Sequence, residues 1–283
     1  MQFGNSAATL RWNHIFGQKL FSNTSLIYNT YLQDISTRQD NSFSQTYSGI
    51  NDITGKTEFH YYPNQKHTIK MGAQFTGHRF ISSGRSQTII AGTKIPDLNV
   101  LKIPAKHVSE YAVYISDEFT LSDRISLNYG IRAPGFSSSN VTYNKLEPRA
   151  TIKAGIDSTS SIKASYTQMN QFIHLIPNST ATLPSDIYIP SSKLTKPQFS
   201  TQYSIGYFRN FKENNYETSV EVYYKDMDNQ VLYGEGNQLT DNSDLDKGLV
   251  YGKGESYGAE FFVKKNSGRL NGWVSYTLSW TNQ

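Results

Sequence analysis

Cysteine is absent from the 283 residues, which excludes both a disulfide scaffold and thiolate metal sites. Core-forming residues are also scarce. Apolar side chains make up 37% of the chain, where soluble globular domains hold roughly 45–50%. A soluble chain of this length should bury a substantial core, so the deficit points to a structure whose second face is wet. No run approaches the roughly 18 apolar residues of a membrane helix. Blocks of one charge are missing too: 27 basic and 23 acidic residues are dispersed, for a net charge of +4, and no nucleic-acid partner is implied. The opening MQFGNSAATLRWNHIFG lacks a basic stretch followed by an apolar one, so no signal peptide is expected. The expectation is an internal piece of an exported protein. Disorder does not fit, because aromatic residues reach 13% and the net charge is modest.

What is present is alternation. In LEPRATIKAGIDSTSSIKASYTQM (146–169), Ala150, Ile152, Ala154, Ile162, Ala164 and Tyr166 share one row, and Thr151, Lys153, Lys163 and Ser165 the other. A period of two with one apolar face is the mark of a half-buried strand. About twelve such segments, grouped as six hairpins, run along the chain. Tight connections are expected at FGQK (16–19), PNQK (63–66), LSDR (121–124), DSTS (157–160), FKENN (211–215) and KNSGR (265–269), each rich in turn-forming residues. Much longer connections are expected near 34–45, 82–107, 135–146, 171–198 and 229–253.

Short and long connections therefore alternate. Sandwiches show no such inequality, whereas outer-membrane barrels have short periplasmic turns and long extracellular loops. Periodicity alone leaves open which face points inward. Strand segments of about 10–13 residues fit a tilted bilayer crossing of roughly 9–11. The apolar rows carry Tyr, Phe or Trp near their ends, as interfacial girdles require. The expectation is an all-β, antiparallel transmembrane β-barrel, incomplete, with lipid against the apolar row.

The order of LEPRATIKAGIDSTSSIKASYTQMNQFIHLIPN (146–178), PSSKLTKPQFSTQYSIGYFRNF (190–211), YETSVEVYYKDMDNQVLY (216–233), YGKGESYGAEFFVKK (251–265) and GWVSYTLSW (272–280) resembles TonB-dependent outer-membrane receptors of Bacteroidetes-type bacteria. The likeness covers roughly residues 108 to 283, with residues 1 to 107 similar only in strand and turn style. It implies that residues 1–283 are part of a 22-stranded barrel, about twelve of its strands. A plug domain, the signal peptide and C-terminal strands are expected to lie outside this chain. It further implies outer-membrane localisation in a Gram-negative bacterium, contact with outer-membrane lipid and energy from the TonB complex through the plug region. The implied function is import of a scarce nutrient such as a siderophore, glycan or peptide. A passive porin-like or structural barrel is the alternative.

Candidate residues follow from the faces. Arg132, Lys153, Lys163, Glu217, Glu221, Glu260 and Lys264 occupy polar rows and are expected to face the lumen. They either touch a plug or line a ligand path, or are simply solvated or paired across the wall, and the plainer reading is preferred. The segment MNQFIHLIPNSTATLPSDIYIP (169–190) offers Phe172, Leu175, Ile176, Ile187 and Tyr188 as extracellular-loop ligand contacts, or as a loop folded on itself over the barrel mouth. Glu147 and Arg149, either side of Pro148, are expected to pair and fix a loop to the rim. The histidines show no carboxylate companion at metal-ligand spacing, so no metal and no cofactor are expected. Gly-x-Gly in YGEGNQ and YGKGES precedes no helix, so phosphate cradling is not supported. No nucleophile–base arrangement appears, and an enzyme is not expected.

Overall fold

In a computed structural model, the alternating segments become strands: β1 (Gln2–Gly17), β2 (Leu20–Gln39), β3 (Ser42–Asn64), β4 (His67–Ile90), β5 (Thr93–Lys94), β6 (Asn99–Thr120), β7 (Ile125–Ser137) and β8 (Thr142–Asn144). The series continues with β9 (Glu147–Gly155), β10 (Ser160–Gln171), β11 (Ile173–Ile176), β12 (Ile187–Pro190), β13 (Gln198–Phe211), β14 (Tyr216–Tyr233), β15 (Leu249–Lys265) and β16 (Gly272–Asn282). The structure describes residues 2–39, 42–90, 93–94, 99–176, 187–233 and 248–282, with side chains except at 37–39, 42–44, 46, 82–90, 93–94, 99–104, 187 and 233. No helix among the described residues is long and apolar enough to cross a membrane.

Twelve strands form one antiparallel path, β1-β2-β3-β4-β6-β7-β9-β10-β13-β14-β15-β16, with β5 paired to β4 and β8 to β7. The sheet is open: β1 and β16 occupy its two ends. All six tight turns fall where the turn residues placed them. At DSTS, Oδ1 of Asp157 accepts from the Thr159 amide (2.7 Å), the Thr159 hydroxyl (2.8 Å) and the Ser160 amide (2.8 Å). Its Oδ2 accepts from the Ser160 hydroxyl at 2.8 Å. These donors, led by the Ser160 hydroxyl, hold the exposed Asp157 carboxyl well below the usual carboxylate range.

The long connections need correction. β2, β3, β4 and β6 run for 20, 23, 24 and 22 residues, well beyond the 10–13 expected. Segment 34–45 is mostly paired strand, with Ser36 opposite Gln45 and Gln39 opposite Ser42. Backbone pairing continues past the point where the apolar row ends, because ladder hydrogen bonds do not require an apolar face. Loss of apolar residues therefore marks the end of the apolar band and not the end of the strand.

Register places the apolar rows side by side. Ala164 pairs with Ile205, Ile205 with Val222, Val222 with Ala259 and Ala259 with Leu278. One step along the strands, Ile162, Tyr207, Val220, Phe261 and Tyr276 do the same. This row is exposed in the isolated chain: Ile205, Val222 and Leu278 retain 51%, 44% and 42% of their surface. An exposed apolar band this continuous belongs against lipid. The opposite face is concave. The β11–β12 hairpin touches β3 through β12 and β14 through β11, although these two strands are far apart in the sheet order. A hairpin of two four-residue strands can reach both only if the sheet curls around it.

Glycine has one clear use in this wall. Glu58 of β3, Gly72 of β4 and Tyr114 of β6 stand in one register row. Tyr114 lies over Gly72 and donates its hydroxyl to Glu58 Oε2. A Cβ on Gly72 would meet the Tyr114 hydroxyl at 2.6 Å and the Thr57 carbonyl at 2.5 Å. The missing side chain lets one ring span two strand spacings, roughly 10 Å.

Candidate functional site: the concave wall and its hairpin

Among the described side chains, the large apolar residues on the concave rows of β3, β4, β6 and β7 gather in one cluster. There Ile50, Phe80, Val108 and Phe136 enclose Phe172, with Tyr31, Val141, Tyr143 and Ile173 packed around them. Phe136 and Phe172 stack at 5.6 Å between centroids. On the far wall, Ile176 and Ile189 of the hairpin pack with Val231 of β14 and Leu249 of β15. The hairpin is thus anchored to both sides of the curved sheet. Hydrogen bonds reinforce this: the Tyr143 hydroxyl donates to the Ser192 carbonyl (2.7 Å), and the Ser191 amide to the Phe172 carbonyl (2.7 Å). Burial pushes the Tyr143 phenol up. His174 Nε2 lies 2.9 Å from Ser191 Oγ. Both residues are buried, so the contact pins β11 to the segment after β12 and offers substrate no access.

Below the apolar cluster the wall becomes ionic. Nδ1 of His78 lies 2.7 Å from Asp52 Oδ1, and its Nε2 lies 4.0 Å from Glu110 Oε1. Arg132 Nη1 donates to Glu147 Oε2 at 3.0 Å, while the Asn170 amide donates to Glu147 Oε1 at 2.6 Å. The expected Glu147–Arg149 pair is therefore replaced by Glu147–Arg132. Register explains the change, since Arg132 stands directly opposite Glu147 on β7, whereas Arg149 is two residues along the same strand. Three histidines pair singly with carboxylates: His60 with Glu58 (2.8 Å), His67 with Asp117 (2.6 Å) and His78 with Asp52 (2.7 Å). Two of these are cross-strand pairs that linear spacing cannot reveal. No group of three His, Cys, Asp or Glu suited to a metal occurs among the described residues.

Beside the hairpin an open cleft of about 460 Å³ is lined by Asn5, Asn29, Tyr31, Asp52, His78 and Tyr188, together with Ile50 and Ile173. Tyr31 and Tyr188 meet edge to face at 6.1 Å. Amide and carboxylate groups next to two phenol rings make a surface that can hydrogen-bond and stack on a polar ligand.

The residues singled out from the sequence separate into groups. Lys153 and Lys163 stand opposite each other, Lys163 opposite Gly206, Gly206 opposite Glu221, and Glu221 opposite Glu260. These four charges form one row across five strands. Glu217 and Lys264 pair at 3.8 Å nearer the short turns, and Arg132 belongs to the Glu147 cluster. In the loop set, Phe172 and Ile176 are buried at 3% and 1%, so they anchor the hairpin. Leu175 and Tyr188 remain exposed at 44% and 37%. Ile187 pairs with Ile176 through the backbone, and its side chain lies outside the described residues. Residues 177–186 of the expected loop also lie outside them. Asn5, Asn29, Tyr31, Asp52 and His78 were missed, since residues 1–107 carried no distinctive motif.

The sequence model of the family described as "TonB dependent receptor-like, beta-barrel" matches residues 2–283. No curated relative matches the chain. Among solved structures, the copper transporter OprC aligns over 99% of this chain and 46% of its own, at 12% identity and a TM-score of 0.73. The outer-membrane ferripyoverdine receptor of Pseudomonas aeruginosa aligns over 98% and 40%, at 14% identity and 0.71. The FrpB iron transporter from Neisseria meningitidis aligns over 98% and 43%, at 12% identity and 0.70. The chain spans less than half the length of each of these structures.

Proposed function

We propose, from the premise that this chain belongs to the TonB-dependent receptor β-barrel family, that it forms part of the wall of a receptor importing a scarce nutrient across the outer membrane. The observation that carries this reading is the β11–β12 hairpin, anchored on opposite walls and flanked by the Tyr31–Tyr188 cleft. A hairpin crossing the concave side narrows the path there, as suits capture better than free diffusion. Leu175 and Tyr188 are the ligand contacts of the hairpin, Phe172 and Ile176 its anchors, and Ile187 belongs to the same element. Arg132, Lys153, Lys163, Glu217, Glu221, Glu260 and Lys264 line the path below. Energy reaches the site through the TonB complex acting on parts of the receptor beyond this chain. The family and its structural neighbours are transport proteins, and no catalytic role is assigned to any residue.

The neighbours carry copper, iron or ferripyoverdine by name, so these cargoes, with glycans and peptides, form the first panel. A deletion strain is complemented with the receptor or with its Tyr31→Ala/Tyr188→Ala variant and grown on each nutrient at limiting concentration. The expected result is TonB-dependent uptake of one nutrient, weakened by the variant. Uptake that survives loss of TonB, together with ohmic conductance in planar bilayers, would establish the porin-like alternative instead.

A further inference from the structure

Where the outer apolar band ends at the short-turn rim, three cations gather on two aromatic rings. The Arg209 guanidinium lies 5.0 Å from the centre of the Phe211 ring. The ammonium groups of Lys212 and Lys265 lie 5.6 and 5.9 Å from the centre of the single Tyr216 ring. Phe211, Tyr216 and Lys265 stand in one register row across β13, β14 and β15. Alternation puts Arg209 and Phe211 on the row of Tyr207, Tyr216 on that of Val220, and Lys265 on that of Val263. All therefore face the lipid side. Lys212 opens a turn in which Lys212, Glu213 and Asn214 have φ of 49°, 56° and 66°. Consecutive left-handed residues without glycine are disfavoured, and this is the turn that brings Lys212 back over Tyr216.

Among the described residues, none of the three cations has an ion-pair partner. The neighbouring Glu217 lies on the concave side, held by Lys264 at 3.8 Å and the Asn266 side-chain amide at 2.7 Å. Glu213 lies in the turn itself, and the Asp157 carboxylate of the neighbouring turn, beside the Ser160 that stands opposite Arg209, is taken up by Thr159 and Ser160. Like charges gathered this closely call for an anion.

Position identifies the anion. Tyr166, Tyr203, Tyr224, Tyr257 and Trp280 form one aromatic row on the lipid side. Along β14, Tyr216 lies eight residues from Tyr224. That is about 26 Å along the strand and about 20 Å along the bilayer normal at a tilt of ~40°, close to the ~25 Å apolar band of outer-membrane barrels. The cation–aromatic cluster therefore sits at headgroup level on the opposite interface.

We propose that Arg209, Lys212 and Lys265 hold the phosphate headgroup of an anionic phospholipid in the leaflet at the short-turn rim. Its acyl chains lie on Tyr207, Val220, Phe261 and Val263. An acidic protein segment would approach from the aqueous side, whereas Arg209 and Lys265 lie on the lipid row and Lys212 folds back over the lipid-side Tyr216.

The test uses receptor purified from outer membranes and reconstituted in phosphatidylcholine nanodiscs doped with phosphatidylglycerol, with retained lipid identified by native mass spectrometry. Three basic residues at about 1 kcal/mol each near an anionic leaflet correspond to roughly a hundredfold preference. The Arg209→Gln/Lys212→Gln/Lys265→Gln variant should lose that preference. A Lys19→Gln/Lys66→Gln/Arg124→Gln control removes the same charge from other short turns and should keep it. Heat-modifiable gel mobility confirms that both barrels are folded. Should the triple variant fail to fold, Lys265→Gln alone should reduce the preference about fivefold. Unchanged phosphatidylglycerol retention in the cluster variants, or equal loss in the control, overturns the proposal.

Discussion

Replacing Arg132 by Gln withdraws the counter-charge from a carboxylate that keeps only 3% of its side-chain surface, while Arg132 itself keeps 30%. At 3.0 Å and an effective dielectric of ~20, the gross attraction is about 5 kcal/mol, much of it offset by desolvation of the two ions. Arg132→Gln strands a buried charge whose remaining strong donor is the Asn170 amide, and it should cost about 3 kcal/mol. Glu147→Gln should cost less, about 2 kcal/mol, because the partly exposed guanidinium can turn to water and the new amide oxygen can still accept from Asn170. Replacing both should cost about 3 kcal/mol, giving a coupling energy of about 2 kcal/mol. The assay is urea unfolding of the receptor in phospholipid vesicles, followed by fluorescence of Trp12, Trp273 and Trp280. At an m-value of about 3 kcal/mol/M, the Arg132→Gln midpoint should fall by about 1 M. Additivity within about 0.5 kcal/mol, or Glu147→Gln being the more costly, would refute the view that the buried carboxylate dominates this cluster.

Gly72→Val should displace the Tyr114 ring and break its hydrogen bond to Glu58, lowering stability by about 2–3 kcal/mol; the same unfolding assay reads it, and Gly55→Val, where nothing lies near the added Cβ, is the control. Asp157 should remain ionised through the range near pH 3.9 in which an unperturbed aspartate titrates, as read by carboxyl NMR shifts. Its folded value is depressed, so its contribution to turn stability is present above the unfolded pKa and lost as pH falls through the lower folded one. Asp157→Asn should abolish that acid-side loss, and a normal titration of the native residue would count against the turn geometry.

The strands and short turns were legible because both signals are local: a period of two, and residues such as Asp157 that organise the next three positions. What joins distant segments was not. Glu147 chose Arg132 over the nearer Arg149 because two strands met in a given register, and nothing in LEPR states that register. Likewise His78 meets Asp52 across a hairpin, and Phe172 finds its place against strands from the less distinctive first third of the chain. The strand ends are hidden for a related reason, since pairing outlasts the apolar row in β2, β3, β4 and β6.

Register also ties the candidate site to the fold itself. Sliding β14 by one residue against β13 would carry Glu217, Glu221 and Lys225 to the lipid side and Val220, Val222 and Tyr224 to the concave side. Glu221, midway between the two rims, would cost somewhat less than the roughly 2–4 kcal/mol of a lysine at the bilayer midplane, and Lys225, beside the interfacial Tyr224 row, about 0–1 kcal/mol, while the apolar row would lose its lipid contact. The same slip would take Tyr216 away from Lys212 and Lys265 on the outer rim. The Lys153–Lys163 and Glu221–Glu260 pairs place like charges directly opposite one another, which disfavours pairing locally. A one-residue slip would separate Glu221 from Glu260 only by turning the whole polar row of β14 toward lipid, so the polar row that lines the path also helps fix the alignment of the wall.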